Sequence, residues 1–529
     1  MITAVSRLTA LSITRRNVLA SFAGKMLTAL LSLAFTPLFS RMLGMEAYGL
    51  IGFSVTLNAA LNLLDMGFSA TMNREMAQLT VPLAAGTIQA SRKVGVEIPP
   101  DRAAEARTLV RTLERVYWPV CLLIAFGIAA LAPVLAHRWV HVQRLHPETV
   151  QRAILLMGLS LALQWPFTLY EGGLMGLQRQ VLLNGIAVLV AVLRSIVPLM
   201  ILRYSPSIVT YFLWQAVVSA VMTGSVWLAL WRALPRSAER PRFDPRVLHR
   251  IWKFAVGMAG ITTVNLLITQ ADKGVLSRVF PLTTLGYYTL AIGAAGAIYY
   301  LVAPLNNALF PRFVQMFAQN ETAALARLYH AGCQAMSVII LPVGLVLAVF
   351  APEVMLLWTH APTTAAHTSR MVAWLAGGFV CNGLMTLPFS LQTAAGWTRL
   401  TLIVSAVWAA AIVPVLLLAT HLFGPDGAAM VWFAMNFSHL FTIIPFVHQR
   451  LLKGEMARWY LQDTAIPALA AGLIVLTFRF LPLPFAANRI AASLWLIVVW
   501  GCAVSAAMLV SPQARSLRKQ SPAAGEQPI

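Results

Sequence analysis

Long apolar stretches recur along the whole chain and alternate with polar segments that are mostly short. A helix needs about 20 largely apolar residues to cross the hydrocarbon core of a bilayer. Scanning for such stretches predicts fourteen membrane-spanning helices, at residues 17–39, 49–72, 116–136, 153–175, 181–202, 208–231, 254–271, 286–308, 331–357, 371–394, 400–420, 428–447, 464–481 and 490–510. The pattern therefore predicts an all-α integral membrane protein.

The composition agrees with this fold class. Of the 529 residues, 59% are hydrophobic and only 11% are charged. A soluble domain carries about 25% charged residues, which it needs to cover its surface. Lipid replaces water as the solvent of a membrane protein, so a low charged fraction is expected there.

The basic residues are distributed unevenly between the two sets of loops. The formal net charge is +21, and 27 of the 39 Lys and Arg residues lie in the two termini and the loops on their side. The opposite loops hold 9 of them. Loops rich in Lys and Arg face the cytoplasm, so both termini are predicted to be cytoplasmic. A nucleic-acid partner is not expected, because the basic residues are not gathered on one folded basic domain.

The four cysteines all lie in apolar stretches, and none forms a C-x-x-C pair. Isolated cysteines of this kind behave as small buried hydrophobic residues. We therefore expect no metal and no cofactor.

A weak internal repeat divides the chain. The segment 40–44 (SRMLG), followed by Gly49, is echoed by 277–281 (SRVFP), followed by Gly286. Further along, the turn 176–179 (GLQR) is echoed by 396–399 (GWTR), so the matches keep their order. A parallel repeat is a common design in transporters. It predicts a six-helix lobe at 1–231, a second at 232–449, and two additional helices with a cytoplasmic tail at 450–529.

Four charged residues in or near the first-half spans are the first candidates for substrate binding, because a charge inside the bilayer costs about 2.5–3.5 kcal/mol. Lys25 and Asp65 are predicted to share a depth on neighbouring helices. They either line a polar cavity or form an interhelical salt bridge, or Lys25 extends its ammonium group to the membrane interface. Arg194 lies about 20 Å into its span at 1.5 Å per residue, and its guanidinium suits phosphate oxygens. The structural alternative for Arg194 is a pair with Glu171, although the predicted depths match poorly.

Three further residues are candidates for gating or coupling. Asp272 and Lys273 lie near the outer end of the seventh span, where they could gate a cavity or anchor the helix at the interface. Adjacent residues point in different directions on a helix, so both are not expected to face one cavity. His439 lies near the middle of the twelfth span. It could carry a proton or be a hydrogen-bonded structural residue.

Several of these motifs resemble one known family. The segment 37–50 (PLFSRMLGMEAYGL) is similar to the signature after the first helix of bacterial polysaccharide flippases, and 63–67 (LLDMG) is similar to a run downstream of it. The Asp272-Lys273 pair and the turn 176–179 also fit. The chain thus resembles the O-antigen-type oligosaccharide flippases of the multidrug/oligosaccharidyl-lipid/polysaccharide exporter superfamily. Lipid II flippases of that superfamily have fourteen spans, so the branch stays open.

The resemblance implies two lobes around a central cavity and alternating access. It implies a flippase of the bacterial inner membrane that moves a polyprenyl-diphosphate-linked oligosaccharide for surface polysaccharide assembly. Membrane lipids and a polysaccharide polymerase are the expected partners. The first alternative is a drug or cation efflux transporter of the same superfamily. A membrane enzyme of polysaccharide assembly is less favoured, because the largest external loop, 137–152, is short and Glu148 is its only acid.

Overall fold

A computed structural model describes residues 24, 26–61, 65, 68–80, 98–238, 241–397, 399–481 and 488–512. Its helices are α1 Met26–Leu43, α2 Met45–Leu61, α3 Phe68–Leu79, α4 Ala103–Val134, α5 Pro147–Gln164, α6 Phe167–Gly176, α7 Gln180–Tyr204, α8 Ile208–Ala233, α9 Pro245–Val279, α10 Leu282–Ala295, α11 Ala297–Ala318, α12 Thr322–Val349, α13 Ala351–Thr359, α14 Pro362–Ala394, α15 Arg399–Phe423, α16 Asp426–Thr442, α17 Ile444–Leu451, α18 Met456–Arg458, α19 Ile466–Arg479 and α20 Arg489–Leu509.

The all-α membrane fold is confirmed. Within the described residues, twelve helical stretches are long and apolar enough to cross a bilayer. Helices occupy the other two predicted positions as well. The span predicted at 254–271 lies inside α9, which continues for 35 residues. The predicted count of fourteen is therefore approximate.

Among the described residues of the span predicted at 49–72, Asp65 has 3₁₀ geometry and lies between two α-helices. Helix α2 ends at Leu61 and α3 begins at Phe68, with Asp65 between them. A break at membrane depth is tolerated only where protein groups or water satisfy the freed backbone. The Asp65 carboxylate lies at this interruption, so we expect polar groups around it.

Charged residues that precede the third predicted span belong to α4. This helix runs without interruption from residue 103 to 134. One of these charged residues, Glu114, is only 3% exposed.

By contacts between Cα atoms, the chain divides into two compact units, residues 1–286 and 287–529. In the first unit α5 packs on α4 and α8, and α3 packs on α6. Gly172 and Gly176 let α6 approach α3 closely, since a Cβ on either would collide with a backbone oxygen of α3. Small residues four apart are typical of tight helix contacts in membranes. The predicted lobe division at 231 stays a prediction.

In the second unit α14 is the central helix, and it packs against α11, α12, α13 and α16. The two C-terminal helices α19 and α20 pack on each other and on α12. Their contact is an apolar cluster that includes Val338, Phe350, Val475, Val499 and Ala503. The C-terminal pair is therefore joined to the rest of its unit by a packed interface.

The repeated turn is real, but its register differs from the sequence match. In the first copy the N–H of Arg179 bonds to Leu174 O, and Gln178 has a φ of 55°. In the second copy the N–H of Trp397 bonds to Gln392 O, and Gly396 has a φ of 69°. Both are helix ends closed by one left-handed residue. The structural counterpart of Gly396 is therefore Gln178, rather than the glycine that the letters align with it.

Candidate substrate-binding site

Arg194 is a half-buried cation on α7. Its Nη2 atom donates to Gln164 Oε1 on α5 at 2.9 Å and to Ser219 Oγ on α8 at 3.0 Å. Its Nε atom is buried and has no hydrogen-bond partner among the described residues. A buried cation is normally paired with an acid. The described hydrogen bonds of Arg194 go only to neutral groups.

The helices around Arg194 are fixed by polar contacts. Ser219 is fully buried and pairs with Ser160 of α5 at 3.0 Å. Thr223 of α8 donates to Leu163 O at 2.7 Å, and the Trp214 indole of α8 donates to Leu193 O at 2.9 Å. These bonds hold α8 against α5 and α7 against α8. The position of Arg194 is therefore defined by its surroundings.

Asp65 lies in the break between α2 and α3. Its Oδ1 atom accepts hydrogen bonds from Tyr117 Oη at 2.5 Å and Thr168 Oγ1 at 3.1 Å. Its Oδ2 atom is 3.4 Å from the backbone nitrogen of Ser69, in the first turn of α3. A carboxylate is stabilised at the positive end of a helix. Asp65 thus has a structural role at this break, and its described partners are uncharged.

Arg194 and Asp65 are anchored on one stretch of chain. Gln164, which holds Arg194, and Thr168, which holds Asp65, are four residues apart, at the junction where α5 ends and α6 begins after Pro166. Proline interrupts the helical hydrogen bonds at such a junction. Two predicted site residues are therefore tied to the same interruption.

The remaining predicted cavity residues are Glu171 and Lys25. Glu171 is half-buried on α6 and has contacts of its own, while the described hydrogen bonds of Arg194 go to Gln164 and Ser219. Lys25 lies outside the described residues. Its predicted pairing with Asp65 stays a prediction.

The sequence pattern missed a buried carboxylate, Glu114 of α4. Its Oε1 accepts from the indoles of Trp227 and Trp231 at 3.1 and 2.8 Å, and from Tyr170 Oη at 3.1 Å. Its Oε2 lies 3.1 Å from Arg111 Nη1. With this many donors Glu114 ties α4 to α6 and α8. The clue in the sequence was the pair of tryptophans four residues apart at the end of α8.

Asp272 and Lys273 are both buried and pair with each other. Lys273 Nζ lies 3.5 Å from Asp272 Oδ1 and donates to Thr269 O at 3.2 Å. The long lysine side chain folds back along α9, so the pair forms although adjacent residues point apart. The gating role stays a prediction.

His439 is half-buried on α16. Its Nε2 atom is buried and has no hydrogen-bond partner among the described residues, and its ring lies edge-on to Trp408 at 6.5 Å. The neighbouring Asn436 instead bonds to Asn382 of α14 at 2.9 Å. The coupling role of His439 stays a prediction.

The repeated motif forms a reciprocal contact in the first unit. A Cβ on Gly49 would collide with the carbonyl oxygen of Leu282, and a Cβ on Gly286 would collide with that of Met45. Leu282 holds the place in the second copy of the motif that Met45 holds in the first. The two copies of the motif therefore contact each other in a locally two-fold symmetric way. Glycine at positions 49 and 286 allows this close approach, because it has no Cβ atom.

Glu46 explains another position of the signature. Its carboxylate accepts hydrogen bonds from the backbone N–H groups of Gln143, Arg144 and Leu145, the last two at 2.9 and 3.1 Å. Several N–H donors converging on one carboxylate hold a loop firmly. The acid in the signature thus orders the connection between α4 and α5.

A cavity of about 550 Å³ lies at the ends of α11, α14 and α17 in the second unit. Its lining includes Phe317, Trp397 and Arg450, and the Arg450 guanidinium lies 4.5 Å from the centre of the Trp397 ring. Helix C-termini carry partial negative charge. The positive charge of Arg450 lies among these helix ends and offsets their partial negative charge.

The described residues contain no cluster of three His, Cys, Asp or Glu side chains that could hold a metal ion. The predictions of no metal and no cofactor remain predictions from the sequence.

Two family models match the chain, and both are described as "Polysaccharide biosynthesis protein". One matches residues 14–80 and the other 111–359, which together make up more than half of the sequence. No curated protein gave a significant sequence match.

Solved structures match the whole fold. One is titled "Lipid II flippase MurJ, inward closed conformation"; it is 11% identical with a TM-score of 0.68, and the match covers 95% of this chain and 99% of that one. A multidrug resistance MATE family transporter of the MOP superfamily, inward-facing, is 12% identical with a TM-score of 0.55, covering 82% and 96%.

The MATE multidrug transporter DinF-BH is 15% identical with a TM-score of 0.53, covering 84% and 96%. At these identities the likeness establishes the fold. Together with the family matches, it shows a multi-pass membrane protein that is similar to polysaccharide biosynthesis proteins over residues 14–80 and 111–359 and has the fold of the MurJ flippase and the MATE transporters.

Proposed function

We propose that this protein flips a polyprenyl-diphosphate-linked oligosaccharide across the bacterial inner membrane by alternating access, for surface or exopolysaccharide assembly. The family match supports a role in polysaccharide biosynthesis. The likeness to a lipid II flippase supports a lipid-linked substrate. In this account residues 1–231 and 232–449 are two lobes that rock against each other.

The observation that carries the proposal is the state of Arg194. The guanidinium lies inside an apolar span, has neutral hydrogen-bond partners and a spare buried N–H, and has no acidic partner among the described residues. Guanidinium groups form paired, charge-assisted hydrogen bonds with phosphate oxygens. We propose that Arg194, together with Lys25, neutralises the diphosphate during transfer. Asp65 and Glu171 shape the polar surroundings of that site.

The direction of transport agrees with simple electrostatics. An inside-negative potential favours outward movement of an anion by about 2.3 kcal/mol per charge per 100 mV. A diphosphate headgroup would therefore be helped outward once a cation shields it from the hydrocarbon. A polysaccharide polymerase that receives the exported units is the expected functional partner.

Polysaccharide export in cells tests the role of Arg194. Arg194→Ala is expected to abolish export while membrane abundance stays normal, and Arg194→Lys to restore part of it, because lysine keeps the charge without the paired donors. Arg203→Ala is the matched control, since Arg203 is an exposed arginine on the same helix. Normal export by Arg194→Ala at normal abundance would refute the proposed site.

The second candidate function is efflux of organic cations, and Asp65 is the observation that favours it. Its carboxylate has only uncharged partners among the described residues. Asp65→Asn distinguishes the two functions: a cation exporter would lose drug resistance, whereas a flippase would keep export if the folded break survives.

The proposed orientation places both termini in the cytoplasm, on the basis of the uneven loop charge. Cysteines introduced into 137–152 should react with an impermeant reagent from outside. Those in 232–253 should react only after permeabilisation. The reverse labelling would overturn the orientation.

A further inference from the structure

A second buried charged cluster lies in the other unit, where α12 meets the segment before α19. His330 of α12 is completely buried. Its Nδ1 atom forms a short hydrogen bond with Asp463 Oδ2. Its Nε2 atom lies 3.2 Å from Glu455 Oε2, within the distance of an ion pair, and has no hydrogen-bond partner among the described residues. One imidazole thus faces two carboxylates.

Asp463 is held in place by α12. Gln334 Nε2 donates to its Oδ1 at 3.0 Å, and Ser337 Oγ donates to its backbone oxygen at 2.6 Å. Asp463 lies in a wide helical turn, Trp459–Ala465, with i to i+5 hydrogen bonding. Such turns are rare and often mark functional sites. The sequence therefore forms an irregular turn that directs this carboxylate onto His330.

The arrangement favours a proton beyond those of a neutral imidazole. A neutral ring donates from one nitrogen and presents a lone pair at the other. Here both ring nitrogens face carboxylate oxygens. A lone pair against a second carboxylate is repulsive, so an additional proton on the ring or on one carboxyl group would stabilise this arrangement. In a coupled group of this kind the proton belongs to the cluster rather than to one residue.

The surrounding charges balance when that proton is present. Arg458 Nη1 lies 3.4 Å from Glu455 Oε2. With one added proton, the charges of His330, Arg458, Asp463 and Glu455 sum to zero; without it the buried group has a net negative charge. Burial of unbalanced charge is unfavourable. Glu455 and Arg458 are about one-third exposed, so they connect the buried histidine to water.

Other titratable groups around the cluster do not replace this proton. His448 of α17 has its Nδ1 2.9 Å from Ile444 O, and its buried Nε2 has no acceptor for a second proton among the described residues. Tyr329 lies edge-on to both histidine rings, at 5.3 and 5.6 Å, and Cys333 is a buried thiol beside them. Tyr460 donates to Leu440 O at 2.6 Å.

We propose that His330, Glu455, Arg458 and Asp463 form a proton-binding site that fastens the C-terminal helix pair to α12. Three of the four residues lie in the segment that leads into α19, and the fourth lies on the helix against which α19 and α20 pack. Loss of the proton would leave excess negative charge at this joint and loosen it. This proposal does not depend on which substrate the protein transports.

Hydrogen–deuterium exchange of the full-length protein in lipid nanodiscs tests this site. Exchange in residues 466–479 and 489–509 is measured from mildly acidic to mildly alkaline pH and corrected for the intrinsic rate. A one-proton difference changes an opening equilibrium about tenfold per pH unit. The cluster binds more protons when closed, so opening should increase as pH rises through its titration.

Asp463→Asn should remove this pH dependence, because the amide keeps the shape but not the charge. Glu455→Gln, at a partly exposed position, should move the transition to lower pH and still fold. His421→Gln, at an exposed histidine of α15, is the control and should keep the wild-type slope. A wild-type protein without pH-dependent opening, or a Glu455→Gln variant with an unshifted transition, would overturn the proposal.

Discussion

Two buried basic side chains are accommodated in opposite ways. Arg194 in the first unit is hydrogen-bonded to an amide and a hydroxyl. His330 in the second unit lies between two carboxylates, with an arginine beside one of them. Both lie in helices of a membrane protein, where an unpaired charge is costly.

The difference shows what each residue is suited to do. A charge that lies beside opposite charges is already neutralised. Removing one member of such a pair leaves the remaining charge uncompensated in an apolar interior. A charge held only by neutral dipoles is positioned but unmatched, so an incoming ion of opposite sign can complete it. The matched cluster is suited to holding helices together, and the unmatched cation to binding a passing anion.

The largest expected effect is on the matched cluster. Asp463→Ala should lower the free energy of unfolding by about 3–5 kcal/mol, because it leaves His330 and its neighbours unbalanced in a buried site. Thermal unfolding of the purified protein measures this. A loss under about 1 kcal/mol would mean that the cluster contributes little to stability.

Close backbone packing gives the next largest effect. Gly49→Ala should cost about 1–3 kcal/mol, because its Cβ would press against the Leu282 carbonyl and force the chain apart. Gly127→Ala is the control: Gly127 has open space around it in α4, so alanine there should be neutral or slightly stabilising. Equal effects of the two substitutions would argue against a close two-fold contact.

The smallest effect on stability is expected at Arg194. Arg194→Met keeps much of the length of the side chain and removes a charge that has no acidic partner among the described residues. The free energy of unfolding should therefore change by about 1 kcal/mol or less, in either direction. If Arg194→Met destabilises the protein as strongly as Asp463→Ala, Arg194 is a structural residue.

The sequence predicted the all-α membrane fold and its apolar helices, because apolar length is a local signal. It missed the His330 cluster, whose members were assigned to polar loops and are up to 133 residues apart. The sequence pattern also missed the interruption at Asp65, because the apolar stretch continues on both sides of that residue. Pairings between distant residues depend on packing that no local pattern contains.

The register of the repeated turn illustrates the same limit. The sequence match aligned Gly176 with Gly396, whereas the left-handed backbone conformation aligns Gln178 with Gly396. Glutamine occupies the left-handed position in the first copy, where glycine is the usual residue. A match of residue types therefore found the right turn but not its geometry.

The central claim is that an unmatched buried cation binds the anionic group of a lipid-linked substrate. It is tested most directly by flipping of a fluorescent short-chain polyprenyl-diphosphate sugar in proteoliposomes, read as headgroup accessibility from the opposite side. The account predicts that Arg194→Ala slows flipping at least about tenfold, which corresponds to about 1.4 kcal/mol, while Arg203→Ala flips at the wild-type rate. Wild-type flipping by a correctly inserted Arg194→Ala protein would contradict it.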